Sequence, residues 1–84
     1  MGIDYRQLRN LTARELIRAL LADGFHLDRQ SGSHRQYRHP SDARRVTVSA
    51  HGSGDTFKVK TLKSMLEEQA QWSEGDLRRL GLLQ

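Results

Sequence analysis

Apolar residues recur along this chain at two different spacings, and each spacing marks a kind of element. Leu16, Ile17, Leu20 and Leu21 fall on one helical face, and Thr12 with Glu15 forms a capping box that satisfies free N–H groups at a helix start. Gly24 stands where a left-handed cap ends such a helix, so the pattern predicts a helix over 13–23. Residues 25–30 then alternate, which predicts a half-buried strand with Phe25 and Leu27 inward and His26 and Asp28 outward. Ser31-Gly32-Ser33 signals a turn, and a second strand runs over 34–39 until Pro40 removes a ladder donor. After a turn at 40–43, residues 44–50 place Val46, Val48 and Ala50 on one face of a third strand.

Helical spacing returns beyond the glycine-containing loop 51–55. Leu62, Met65 and Leu66, followed by Gln69 or Ala70, predict a helix over 59–71. Ser73 and Gly81 bracket a short third helix with Leu77 and Leu80 inward, and Trp72 is expected to pack in the core. Residues 1–11 carry Ile3, Leu8 and Leu11 at irregular spacing, which fits a short helical lead-in or a partly ordered arm. The helices can bury their stripes only against the apolar face of the three strands. The expected fold class is therefore α+β, a two-layer α-β-β-β-α sandwich with a three-stranded antiparallel sheet and a short extra C-terminal helix.

Strand parity then assigns faces. Tyr37 shares parity with Arg35 and His39, whereas His34 shares parity with Gln36 and Arg38. If Tyr37 anchors the strand to the core, His34, Gln36 and Arg38 point to solvent. They are joined across the sheet by His26 and Asp28 on one side and by Arg45, Thr47 and Ser49 on the other.

Length and composition narrow the partners. With 84 residues the chain has room for one domain with a modest core. No cysteine is present, which excludes disulfides, cysteine-based zinc sites and a thiolate nucleophile. No apolar run is long enough for a membrane span or a secretory signal, so a cytoplasmic location is expected. Fourteen Lys and Arg against ten Asp and Glu leave a net charge of +4. The excess is local, because residues 29–45 hold five arginines and two histidines against Asp42 alone. That balance favours a polyanionic partner, although an ordinary basic surface has the same composition.

Within that segment His34 follows a Gly-Ser step. Histidine both donates and accepts protons near neutrality, so His34 suits general acid or base work on an RNA 2′-hydroxyl without requiring a metal, with arginines stabilising charge on phosphorus. Gly32 admits close backbone approach to a phosphate and Ser33 offers a hydrogen bond. The alternative is that Gly-Ser-His is simply a turn. His51, beside Gly52, is the candidate second proton-transfer group. His26, His39 and His51 match no standard metal-binding spacing, and no cofactor or metal is expected.

The residues Glu15-Leu-Ile, Gly24-Phe25, Gly32-Ser33-His34-x-x-Tyr37-Arg38-His39-Pro40, Val46-Thr-Val48, His51-Gly52 and Thr61-Leu62-Lys63-Ser64-Met65-Leu66 together resemble the HicA toxin family. The resemblance covers residues 12–70 and leaves the lead-in 1–11 and a C-terminal helical extension 72–84 outside it. It implies a double-stranded-RNA-binding-like fold, a toxin of a type II toxin–antitoxin system, mRNA interferase (endoribonuclease) activity and neutralisation by a HicB-like antitoxin. The family's catalytic histidine falls on His34 and its glycine on Gly32. Residues expected at the RNA are Gly32, Ser33, Arg35, Gln36, Arg38, Arg45 and His51. Two other readings of the same surface stand beside this one: a non-catalytic RNA-binding module, and a protein-interaction domain whose basic face meets an acidic partner.

Overall fold

The structure, a computed structural model, describes residues 2–84; Met1, at the head of the expected lead-in, lies outside the described residues. A 3-10 turn at Tyr5–Leu8 leads into α1 (Ala13–Ala22), followed by β1 (His26–Ser31), β2 (His34–Arg38) and β3 (Arg45–Ser49). Next come α2 (Val59–Lys63), which continues as a π-helical turn over Ser64–Gln69, and α3 (Glu74–Arg79). The strands form one antiparallel sheet in the order β1-β2-β3. This is the α+β order that the apolar spacing predicts.

Local chemistry sets the helix ends. Thr12 Oγ1 accepts from the Glu15 amide at 3.2 Å while Glu15 Oε1 accepts from the Thr12 amide at 3.0 Å. The Thr12 amide and, second, the Thr12 hydroxyl both donate to Glu15 Oε1, and these hydrogen bonds hold the Glu15 carboxyl below its ordinary range. Ser73 and Asp76 repeat the device at the start of α3. At the end of α1, Gly24 adopts φ +102°, and a Cβ there would stand 3.0 Å from His39 Nε2, so both conformation and space demand glycine.

One hydrophobic cluster joins the layers: Leu16 and Leu20 of α1, Tyr37, Val46 and Val48 of the sheet, and Leu62, Met65 and Leu66 of the second helix. Tyr37 is buried, as its parity requires. Leu21 is the exception on α1, at 53% exposure. The buried arc of α1 is Ala13, Leu16, Ala19 and Leu20, and one further residue rotates about 100° away from it. Leu27 is likewise 47% exposed: it pairs with Tyr37 on the helix side, but every residue of the edge strand β1 is exposed. Helix cover ends short of that edge.

The terminal segments belong to the same cluster. Leu8, Leu11, Leu77 and Leu83 are all buried in it, and the Gln84 amide donates to Gln7 Oε1 at 3.2 Å. Tyr5 donates its hydroxyl to Glu67, and burial together with that bond pushes the phenol pKa up. Residues 3–11 are thus packed against the core rather than forming an arm.

The π-helical turn is tied by two hydrogen bonds of the Gln69 side chain. Its wider winding lets Gln69 Nε2 donate to Ser64 Oγ, five residues earlier, at 3.0 Å, while Gln69 Oε1 accepts the Thr47 amide at 2.8 Å. A side-chain amide thereby covers part of the outer edge of β3, where an unpaired strand would otherwise offer its backbone. The turn ends at Gln71, the one non-glycine residue with positive φ (+58°) among the described residues.

Behind the sheet's far end, Phe25 is enclosed by the rings of His39 (centroids 5.0 Å) and Trp72 (6.3 Å) and by the Arg44 guanidinium, 4.9 Å from its centroid. Asp23 ties this group together by accepting from Trp72 Nε1 at 2.8 Å and from Arg79 at 3.0 Å, with Arg44 at 3.5 Å. Burial acts to raise the Asp23 pKa, but the Trp72 and Arg79 hydrogen bonds and the two guanidinium charges outweigh it and hold the carboxyl below its ordinary value. Trp72 is therefore a core residue with a satisfied N–H.

Candidate nucleic-acid interface and active site

The site is built on the hairpin joining β1 to β2. Ser31 pairs with His34, so Gly32 and Ser33 form a two-residue turn. Gly32 has φ +58° and Ser33 is not in the positive-φ region, the pattern of a type II′ turn, which matches strand twist and needs glycine first. A Cβ on Gly32 would meet nothing within 4 Å, so conformation sets the residue type and the space before the turn is open. The Ala50 amide donates to the Ser33 carbonyl at 3.2 Å and fastens the turn to the end of β3. His34 follows as the first residue of β2, exposed, with Ser31 on one side and Ser49 on the other.

Cross-strand pairing extends this into a surface. His34, Gln36 and Arg38 are flanked by Ser31, Arg29 and His26 on β1 and by Ser49, Thr47 and Arg45 on β3. Arg29 owes its place to a one-residue register shift between Leu27 and Arg29, as at a β-bulge, which leaves Asp28 unpaired and puts Arg29 opposite Gln36. The expected neighbour in that row was Asp28, because strict alternation continues through the bulge. Arg29 therefore lies diagonal to His34, about 7–8 Å away between backbones.

Charge on this face is uncompensated. Among the described residues, Arg29, Arg38 and Arg45 form no ion pair with a carboxylate, in contrast to Arg44, which pairs with Asp42 and Asp23. Arg38 and Arg45 stand directly opposite one another, an arrangement that disfavours the empty sheet and suits a polyanion laid across it.

The expected RNA-contacting residues divide between two surfaces. Gln36, Arg38 and Arg45 share the open face with His34. Arg35, one residue from His34, lies on the other side of the sheet. There it lines a cavity of about 190 Å³ with Ser33, His51, Val48 and three residues of α1, Ala13, Arg14 and Ile17. His51 is exposed on the following loop, its amide held by Asp55 Oδ2 at 2.9 Å, and the Ala50–Ser33 bond brings its backbone beside the turn. His26 sits at the far end of the face opposite Arg38, about 13 Å along the strand from His34, too far to share one phosphodiester. His39 is occupied: its Nε2 lies 2.9 Å from the Asp23 carbonyl and its Nδ1 accepts the Ser41 amide. Among the described residues no three His, Asp or Glu side chains gather as a metal site.

Two functional candidates thus emerge only from the folded chain. Arg29 was hidden by the register shift, which leaves no mark in the alternation. Arg14 carries no distinguishing mark in the sequence, and only the packing of α1 against the hairpin brings it to the cavity that Arg35 lines.

The chain thus forms an α-β-β-β-α sandwich with one sheet face covered by helices and the other bare and cationic. A family model described as "HicA toxin of bacterial toxin-antitoxin" matches residues 13–72. The chain belongs to the HicA toxin family, the toxin half of bacterial toxin–antitoxin pairs. No curated protein matches the chain.

Proposed function

We propose that this protein is a metal-independent endoribonuclease that cleaves mRNA with His34 as general acid or base and is neutralised by a HicB-like antitoxin. The observation that carries the reading is the placement of an exposed imidazole at the end of a sheet face on which three arginines have no acidic partner among the described residues. A phosphate backbone supplies the missing counter-charge.

In the reaction, neutral His34 takes the proton of a ribose 2′-hydroxyl, the freed oxygen attacks the adjacent phosphorus, and the 5′-oxygen of the next nucleotide leaves with a proton. His51 is the second proton-transfer group closest to the turn by backbone connection. Arg29, diagonal to His34, stabilises the charge that builds on the phosphoryl oxygens. Arg38 and Arg45 hold the strand farther along the face, and Gly32 and Ser33 shape its entry. A HicB-like partner that covers this face would remove both the imidazole and the phosphate anchors from RNA at once.

The mechanism fixes the products. Purified protein should leave a 2′,3′-cyclic phosphate and a 5′-hydroxyl, and a strand with a 2′-deoxy residue at the cut position should stay intact. Cleavage of the 2′-deoxy strand would overturn the mechanism.

A further inference from the structure

The cavity behind the hairpin has a chemistry different from that of the open face. At about 190 Å³ it is below the range of roughly 300–1,000 Å³ that holds drug-sized ligands, and it suits one planar group. Its floor is apolar, from Ile17, Val48 and Ala50, and its rim carries the Arg14 and Arg35 guanidiniums and the Ser33 hydroxyl; none of its lining residues is acidic. Arg14 is steadied by Ser53 Oγ at 3.2 Å. The first free amides of α1 do not serve the cavity, since Ala13 donates to the Asp55 carbonyl at 2.8 Å and Arg14 to the Ser53 carbonyl at 3.0 Å. The donors available to a ligand are therefore side chains on an apolar floor. That combination holds a nucleobase, through guanidinium stacking and edge hydrogen bonds.

Position supplies the rest. Ser33 and Arg35 line the cavity and flank His34 in sequence, so cavity and imidazole lie on the two sides of the same end of β2. The space before Gly32 is open. We infer that the cavity takes one unpaired base of the RNA strand whose neighbouring phosphate lies at His34, an inference that rests on the endoribonuclease reading. A strand rounding the sheet end can place a base on one side and a phosphate on the other, whereas a duplex keeps its bases stacked. The protein then selects single-stranded RNA at the cut, and Arg14 and Arg35 act as positioning residues for the base.

Photocrosslinking tests this without knowledge of a preferred sequence. Full-length protein carrying His34→Ala, to keep the strand intact, is irradiated with oligouridylate containing 4-thiouridine, and the adducts are mapped by mass spectrometry. Adducts on Ile17, Val48, Ala50 or His51 support the assignment. Ala50→Phe, which fills the cavity, should abolish them and weaken binding about tenfold; Ile17→Trp fills it from the helix side if the first variant does not fold. Bound RNA with adducts confined to Gln36, Arg38 and Arg45 would overturn the cavity assignment and leave the RNA reading standing. Absence of RNA binding by the folded protein would overturn both.

Discussion

Replacing Asp23 by alanine should unfold this protein earlier than any change of comparable size on the sheet face. Asp23 accepts the indole N–H of Trp72, which is only 3% exposed, so its loss leaves a buried donor without a partner, at a cost of about 1–3 kcal/mol. Arg79 adds less, since its side chain is 54% exposed and keeps Asp76 as a partner. Arg44 retains Asp42 and the Ala70 carbonyl. The total is about 2–4 kcal/mol, which for a domain this small lowers Tm by roughly 10–25 °C. Thermal melts followed by circular dichroism and by Trp72 fluorescence read it directly. The pH dependence isolates the charge. Asp23 is held below its ordinary value of 3.8, so its contribution is complete above that value and is lost as pH falls toward the folded pKa. The stability gap between the wild type and Asp23→Asn should be level at neutral pH and close below about pH 4. An Asp23→Ala protein melting within about 2 °C of the wild type, or a gap that widens in acid, would refute the reasoning.

Further substitutions probe other parts of the account. Gln71→Gly should stabilise the protein by up to about 1 kcal/mol in urea denaturation, because it relieves a non-glycine residue at φ +58°. Gly24→Ala should destabilise it by at least about 1 kcal/mol, through both the φ of +102° and the crowding of His39. In cleavage assays at saturating RNA Arg29→Ala should lower the rate about tenfold to a hundredfold, more than it weakens RNA affinity. Arg38→Ala and Arg45→Ala should instead weaken RNA binding and each reduce its salt slope by about one.

Much of the fold is written in short-range chemistry. The Thr12–Glu15 and Ser73–Asp76 boxes act within four residues, and the parity of Tyr37 follows from strand geometry alone, so both are legible before folding. What escapes is set by distant partners. The π-helical turn carries Gln69, whose side-chain oxygen accepts the Thr47 amide of another element, and Leu8 and Leu83 find their core only across the whole chain. His34 was visible because its parity, opposite to that of the buried Tyr37, turns it to the open face. Arg29 was not, since one extra residue at a bulge exchanges the occupants of a sheet face without altering composition. Arg35 is a different case: the parity it shares with Tyr37 already sets it on the surface opposite His34, although it was expected at the RNA with the open-face residues.

The claim that an imidazole on this face does chemistry is tested most directly by comparing wild-type and His34→Ala proteins on the same RNA in EDTA. The account predicts cleavage by the wild type, a loss of about a hundredfold or more in the variant, and RNA affinity within about threefold between them. Equal cleavage by the two proteins would contradict it.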